Sequence, residues 1–352
     1  MQKRNMKVMK RIITSALLLA ALFVAGIDRA AADDNLKRLT FNNPIISRSV
    51  PDPTIIRGED GFFYLYGTED SRNIPIFRSK NLVDWIFVGT AFSESTRPAC
   101  VAPGSGGTPG SSAMMWAPDI NYIDGQYVLY FSIGVWGYGE KCGVGVATSD
   151  RPEGPFVDRG VVLMANEIGV HNSIDQFYIR DNGKNYLIWG SFFGIYMIQL
   201  TEDGLRIMPG AQKVQIAGSL MEASYVYKRD GYYYLFGSAG SCCEGANSTY
   251  RVVYGRSTSL AGPYVNKSGG RMLDNQCEIL LQSNDFVAGP GHNAEFVEDD
   301  NGDTWIPYHG YLRANADLGR VVLLDKVQWK DGWPFIENSS PSSSSAAPYF
   351  KE

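Results

Sequence analysis

Four acidic residues open four similar stretches of this 352-residue chain, and their types and spacing point to one kind of chemistry. Asp52 begins Asp-Pro-Thr-Ile-Ile, Asp119 begins Asp-Ile-Asn-Tyr-Ile, Asp175 begins Asp-Gln-Phe-Tyr-Ile, and Glu222 begins Glu-Ala-Ser-Tyr-Val. Carboxyl groups that converge on one axis from a rigid scaffold suit glycoside hydrolysis, where one activates a water and another protonates the leaving oxygen. A single Asp of this kind is more often a turn cap; recurrence at one position of a repeated unit carries the catalytic reading.

The unit that must position these acids is an apolar-aromatic segment, a polar turn containing glycine, and a second aromatic segment. It runs Asp52–Gly67, Asp119–Tyr130, Asp175–Gly190, Glu222–Gly237 and, without an acidic opener, Asn293–Tyr308. Asp-Gly and Asn-Gly between aromatic runs are strong hairpin signals, because these residues tolerate positive φ. The turn glycines Gly61, Gly125, Gly183, Gly231 and Gly302 are 64, 58, 48 and 71 residues apart, room for four short strands each. Five such repeats predict an all-β fold, a five-bladed β-propeller over residues 33–338, in which the first strand of each blade lines a central channel. Ordinary hairpins in a sandwich are the competing architecture, and nothing in the pattern asks for long helices.

The ends of the chain carry different signals. Basic residues up to Arg11, an apolar run from Ile12 to Gly26 and the small residues Ala30–Ala32 read as a signal peptide over 1–32. The run is too short to span a bilayer and no second one follows, so the mature chain is expected outside the cytoplasm, periplasmic or secreted, without a membrane span and as a monomer. Cleavage there removes six basic residues and one acidic one, moving the formal charge from −5 to −10. That surface disfavours nucleic acid and polyanionic polymers and leaves a neutral plant-type polysaccharide as the expected partner. The Gly-, Ser- and Pro-rich stretch 99–112 is expected to border the cleft, and the Ser- and Ala-rich tail 339–352 to be disordered and without function. Five cysteines leave at least one thiol unpaired. Adjacent Cys242 and Cys243 stand open between a mutual disulfide and separate roles. Three scattered histidines and no CxxC make no zinc site.

Particular stretches resemble glycoside hydrolase family 43, and within it the arabinan endo-1,5-α-L-arabinosidases, from about Pro51 to Trp333. The most specific is Ser241-Cys-Cys-Glu-Gly-Ala-Asn-Ser-Thr-Tyr-Arg-Val-Val-Tyr-Gly-Arg-Ser257; Trp116-Ala-Pro-Asp119, Gly190–Leu200 and Gly289-Pro-Gly-His-Asn293 also match in order. The chain departs from the family pattern at Pro51, Gln176 and Ser224. The resemblance implies that Asp52 is the general base, Glu222 the general acid, and Asp175 the residue that orients this acid and raises its pKa, in an inverting reaction on arabinan. Asp119 is then structural. Trp116 and, more weakly, Phe192 are candidate stacking surfaces for sugar rings. His292 is implied as a ligand of a calcium ion in the channel, completed by water, and no organic cofactor is implied. Alternatives are an exo-acting α-L-arabinofuranosidase or β-xylosidase on the same blades, and a propeller that binds glycan without cutting it.

Overall fold

The computed structural model describes residues 40–70 and 72–351, and the signal peptide read over 1–32 lies outside them. Strands are numbered β1–β23 along the chain. Five antiparallel sheets follow one another in sequence. The first holds β2 (Thr54–Arg57), β3 (Phe63–Tyr66), β4 (Pro75–Ser79) and β5 (Ile86–Thr90). Strands β6–β9 make the second (Met114–Ile123, Gln126–Gly134, Gly143–Ser149, Val157–Met164), and β10–β13 the third (Phe177–Asp181, Lys184–Trp189, Ile195–Gln199, Val214–Ala217). The fourth has β14–β17 (Met221–Arg229, Tyr232–Ala239, Arg251–Ser257, Glu278–Leu281). The fifth is β18 (Val287–Gly291), β20 (Thr304–Leu312), β21 (Val321–Lys330) and β22 (Trp333–Phe335), with short β19 (Val297–Glu298) also on β20. This is the five-bladed β-propeller expected from the repeat. Among the described residues the α-helical content is one turn, Ala165–Ile168.

The first four cassettes fold as the first two strands of a blade and the fifth as β19 and β20, and the five turn glycines have φ between +74° and +92°. The second strands read as aromatic runs without alternation because both faces are covered: all four residues of β3 are buried, and eight of the nine in β7. The cores accordingly lie between blades. Tyr64, Tyr66 and Ile76 of blade 1 cluster with Ile120, Leu129 and Phe131 of blade 2. Val128, Tyr130 and Val146 of blade 2 cluster with Tyr178, Leu187 and Trp189 of blade 3.

Inner strands are tied from blade to blade by side chains that accept main-chain N–H groups. Thr54 Oγ1 accepts from Ile120, Asp119 Oδ2 from Tyr178, Asp175 Oδ2 from Ala223, the Tyr225 hydroxyl from Phe296, and Glu295 Oε2 from Ile55. The last of these closes the ring between blades 5 and 1. Closure is reinforced by Asn43, whose side chain donates to Leu324 O and accepts from Leu324 N, each at 2.9 Å.

Two expectations change. The tail is ordered in its described part. Strand β23 (Ser344–Ala346) pairs with β1 (Thr40–Asn42), and these form a small unit of their own. Within the propeller unit, Tyr349 N donates to Asp299 Oδ2, and the Phe350 ring lies 4.9 Å from Phe63. A Ser- and Ala-rich composition reads as unstructured, but this segment finds a strand partner and an aromatic socket. Second, the stretch 99–112 is absent from the walls of the main cleft, which Met114 and Trp116 line instead.

Candidate active site

At the channel end of each blade one non-glycine residue adopts a left-handed conformation: Asp52 (φ 53°), Ala117 (φ 37°), Asp175 (φ 57°), Ala223 (φ 56°) and His292 (φ 43°). Such residues cost on the order of 1–3 kcal/mol each and persist where their surroundings over-determine them. Ladder register also shifts between Trp116 and Asp119, between Glu222 and Tyr225, and between Ala288 and Gly291. The chain therefore bends at the mouth of the channel and re-aims the side chains there. In blade 2 the bent residue is Ala117, two positions before Asp119, so Asp119 is not the structural counterpart of Asp52. It sits deeper, where its carboxyl anchors Tyr178, and does not line the main cleft.

That cleft encloses about 850 Å³ and brings together all six predicted residues, Asp52, Trp116, Asp175, Phe192, Glu222 and His292. Asp52 is fixed by Thr68, whose hydroxyl donates to Oδ2 at 2.6 Å, and by Arg320, whose guanidinium donates to Oδ1 at 2.9 Å. His292 Nδ1 stands 3.2 Å from the same oxygen and 3.9 Å from Asp175 Oδ2. Burial alone would raise the Asp52 pKa, but the Arg320 guanidinium and His292 outweigh it and hold the carboxyl well below its ordinary range. His292 is moved the other way. Burial would lower its pKa, yet Asp52 and Asp175 raise it.

Glu222 receives two hydroxyls, Ser191 Oγ at 2.6 Å on Oε2 and Tyr250 at 2.8 Å on Oε1. Its pKa is raised by burial despite these donors. Asp175 is pushed up to about 8, first by burial and then by repulsion from Glu222. Two buried acids that repel cannot both be charged cheaply, so the pair keeps a proton at neutral pH while Asp52 stays anionic. Sequence reasoning placed the repulsion on Glu222; the structure places its larger effect on Asp175. One carboxylate poised to accept a proton beside a pair that retains one is the arrangement general acid–base chemistry requires.

Trp116 lies flat against the backbone of Gly134, where an added Cβ would come within 2.1 Å of the indole. Its edge meets Trp136 at a ring separation of 5.8 Å, and Trp136 is 76% exposed in the same cleft. Cys242 and Cys243 are joined in a disulfide in the loop between β15 and β16 of Glu222's blade and line the same cleft, while Cys100, Cys142 and Cys277 are thiols. Gln176, where the chain departs from the family pattern, donates to Ala117 O at 2.6 Å and accepts from Ser132 Oγ, linking blades 2 and 3.

Sequence reading did not identify Thr68, Ser191, Tyr250 or Arg320 as part of the site, and left His309 open between facing the channel and packing. A signal existed for the first two, since a hydroxyl residue follows the glycine that closes the cassette in Gly67-Thr68, Gly190-Ser191 and Gly237-Ser238. Arg320 had none, because it lies in a loop of blade 5 far along the chain from Asp52.

The family model for Glycosyl hydrolases family 43 matches residues 41–334. The extracellular endo-α-(1→5)-L-arabinanase 1 of Bacillus subtilis is 33% identical over 293 residues, 80% of this chain and 86% of that protein. The extracellular exo-α-(1→5)-L-arabinofuranosidase ArbA of Cellvibrio japonicus is 30% identical over 317 residues, 84% of this chain and 88% of that one. Among solved structures, the α-L-arabinanase of Cellvibrio cellulosa in complex with arabinohexaose superposes with a TM-score of 0.73 at 28% identity, covering 83% of this chain and 97% of that chain.

Proposed function

The chain belongs to glycosyl hydrolases family 43, and from that premise we propose that this glycoside hydrolase is exported and cuts internal α-1,5-L-arabinofuranosidic bonds of arabinan with inversion. The observation that carries the reading is the convergence of three buried carboxyls in one cleft: Asp52 held by Thr68 and Arg320, Glu222 held by Ser191 and Tyr250, and Asp175 bound to the main chain of Ala223 beside that acid. Asp52 takes a proton from a water as that water's oxygen bonds to the anomeric carbon. The bond from that carbon to the leaving oxygen breaks on the opposite face of the sugar, and Glu222 gives the leaving oxygen its proton. A single displacement of this kind needs about 6.5–9.5 Å between base and acid. Asp175 positions the acid's strand through Ala223 N and keeps the pair protonated. Trp116, Trp136 and Phe192 offer apolar faces to the rings of a neutral chain.

A calcium ion in the channel is part of the proposal. His292 and Asn293 line a small cavity under the site, and Asn293 Oδ1 is buried there with no hydrogen-bond partner, an oxygen of the type a hard cation takes. Among the described residues no three His, Cys, Asp or Glu are grouped to hold a metal, so water would supply the remaining ligands. When bound, the ion would add positive potential that favours the anionic form of Asp52.

Exo action is the second reading, favoured by the similarity to the C. japonicus exo-acting enzyme. The test is a time course of products from linear arabinan, branched arabinan and xylan. A ladder of short oligosaccharides from linear arabinan is expected, monomer alone would establish the exo reading, and inertness on all three with retained binding would leave a glycan-binding propeller.

A further inference from the structure

The feature of the cleft that the acid–base reading does not use is the bond between Cys242 and Cys243. This pair sits in the loop between β15 and β16, and both residues line the same cleft as Asp52 and Glu222. The three other cysteines remain thiols, and none of them lines it.

The loop is held closely. Ser241 O accepts from Thr249 N at 3.1 Å and Tyr250 N at 3.0 Å, and Thr249 Oγ1 accepts from Ser241 N. Ser248 Oγ accepts from Glu244 N at 2.9 Å, and Arg313 donates to Ala246 O at 2.9 Å. Tyr250, the last residue of this frame, donates to Glu222. The disulfide is thus set at a fixed place relative to the carboxyl that faces the scissile bond.

A sulfur–sulfur bond offers no strong hydrogen-bond donor and presents a polarisable, weakly solvated face. It matches the C–H face of a sugar ring rather than its hydroxyl edge. Joining neighbouring side chains also removes their rotamer freedom before any ligand arrives, so a ring can pack against them with little further loss of entropy. We propose that Cys242–Cys243 is the preformed wall of a sugar subsite next to Glu222, where it packs against one ring of a neutral furanose chain and helps set which chains bind. The inference rests on the arabinan reading of the same cleft.

The experiment compares wild type with C242A/C243A on linear arabinan. The expected result is a KM raised about tenfold, with kcat and the alkaline limb of its pH profile retained, the pattern of lost binding without lost chemistry. In parallel, calorimetry with arabinohexaose should give an affinity about tenfold weaker for E222Q/C242A/C243A than for E222Q. C242S/C243S, which preserves most of the side-chain volume, replaces the alanine pair if that variant melts early, and should show the same rise in KM. Unchanged KM and affinity overturn the subsite. So does a loss confined to kcat or a moved alkaline limb, which would assign the disulfide to holding Tyr250. A wild type that neither cuts nor binds arabinan overturns the arabinan reading itself and the subsite with it, whereas an active wild type with an indifferent variant overturns the subsite alone.

Discussion

The main-chain N–H of Asp52 donates to Nδ1 of His309 at 3.0 Å, so the carboxylate of blade 1 is seated on the second strand of blade 5. Blade 4 does the same with a carboxylate, Ala223 N donating to Asp175 Oδ2, and the remaining three with hydroxyls. Ala117 N donates to Thr68 Oγ1, Asp175 N to Ser132 Oγ and His292 N to Ser238 Oγ. His309 is fully buried and its pKa is pushed down to about 4 by burial, so it is a neutral imidazole that accepts at Nδ1.

Replacing His309 by alanine strands a buried N–H and leaves a cavity. H309A should lose about 2–4 kcal/mol of stability and at least tenfold in kcat. H309N, whose side-chain oxygen can accept in place of Nδ1, should recover most of the rate. Thermal melts and steady-state rates on the three proteins decide it; equal rates in H309A and wild type would remove the seating role.

Tyr250 donates to Glu222 and thereby favours its charged form against the upward push of burial. Removing that hydroxyl should raise the pKa of the acid further. In Y250F the alkaline limb of the kcat profile is therefore expected to move to higher pH, while the plateau falls about tenfold through lost orientation. A limb that moves to lower pH would contradict the assignment of Glu222 as the proton donor.

Asp175→Asn acts with the opposite sign. Repulsion between Asp175 and Glu222 helps the pair hold its proton, and a neutral amide abolishes it. The alkaline limb should move to lower pH and kcat fall roughly a hundredfold, with Ala223 N still able to donate to the amide oxygen. A pH–rate series on D175N measures both.

Asp325 is pushed up to about 6 by burial, against hydrogen bonds from Ser342 and Tyr308. Its folded pKa exceeds the unfolded one, so the folded state binds this proton more tightly. The resulting stability is fully present below about pH 4 and is lost as pH rises through 6. Relative to D325N, wild type should lose up to about 3 kcal/mol between pH 4 and pH 7. Urea unfolding at the two pH values tests it, and parallel pH dependence in both proteins would contradict it.

Calcium restored after chelation should raise the melting temperature of wild type and raise that of H292A much less, because a ligand of the folded state stabilises by mass action. Equal shifts in both proteins would detach His292 from the ion.

Blade number and hairpin positions were legible because Asp-Gly and Asn-Gly turns between aromatic runs repeat five times, and the three acids were found through those repeats. The step from Asp119 to Ala117 was not legible, since a left-handed bend inside a strand leaves no mark in residue type when alanine occupies it. Ser191 and Thr68 are visible as hydroxyls after a glycine, a pattern that ordinary turns share. The bond between Cys242 and Cys243 stayed open because adjacency by itself argues both for and against pairing. The tail was misread from composition: Ser344–Ala346 gains its order from β1, a partner some three hundred residues away that no local signal names.

The bent residue at the mouth of each blade has a consequence for how such a protein can change. Each of the five bent residues gives its main-chain N–H to a side chain of the preceding blade, and three of them carry a titratable side chain into the cleft: Asp52, Asp175 and His292. Ala117 and Ala223, the other two, carry a single methyl group. Chemistry here is mounted on the scaffold rather than woven through it. At Ala117 the backbone is already bent and supported as it is at Asp52, so the frame that carries a reactive group in one blade is repeated, without one, in the next.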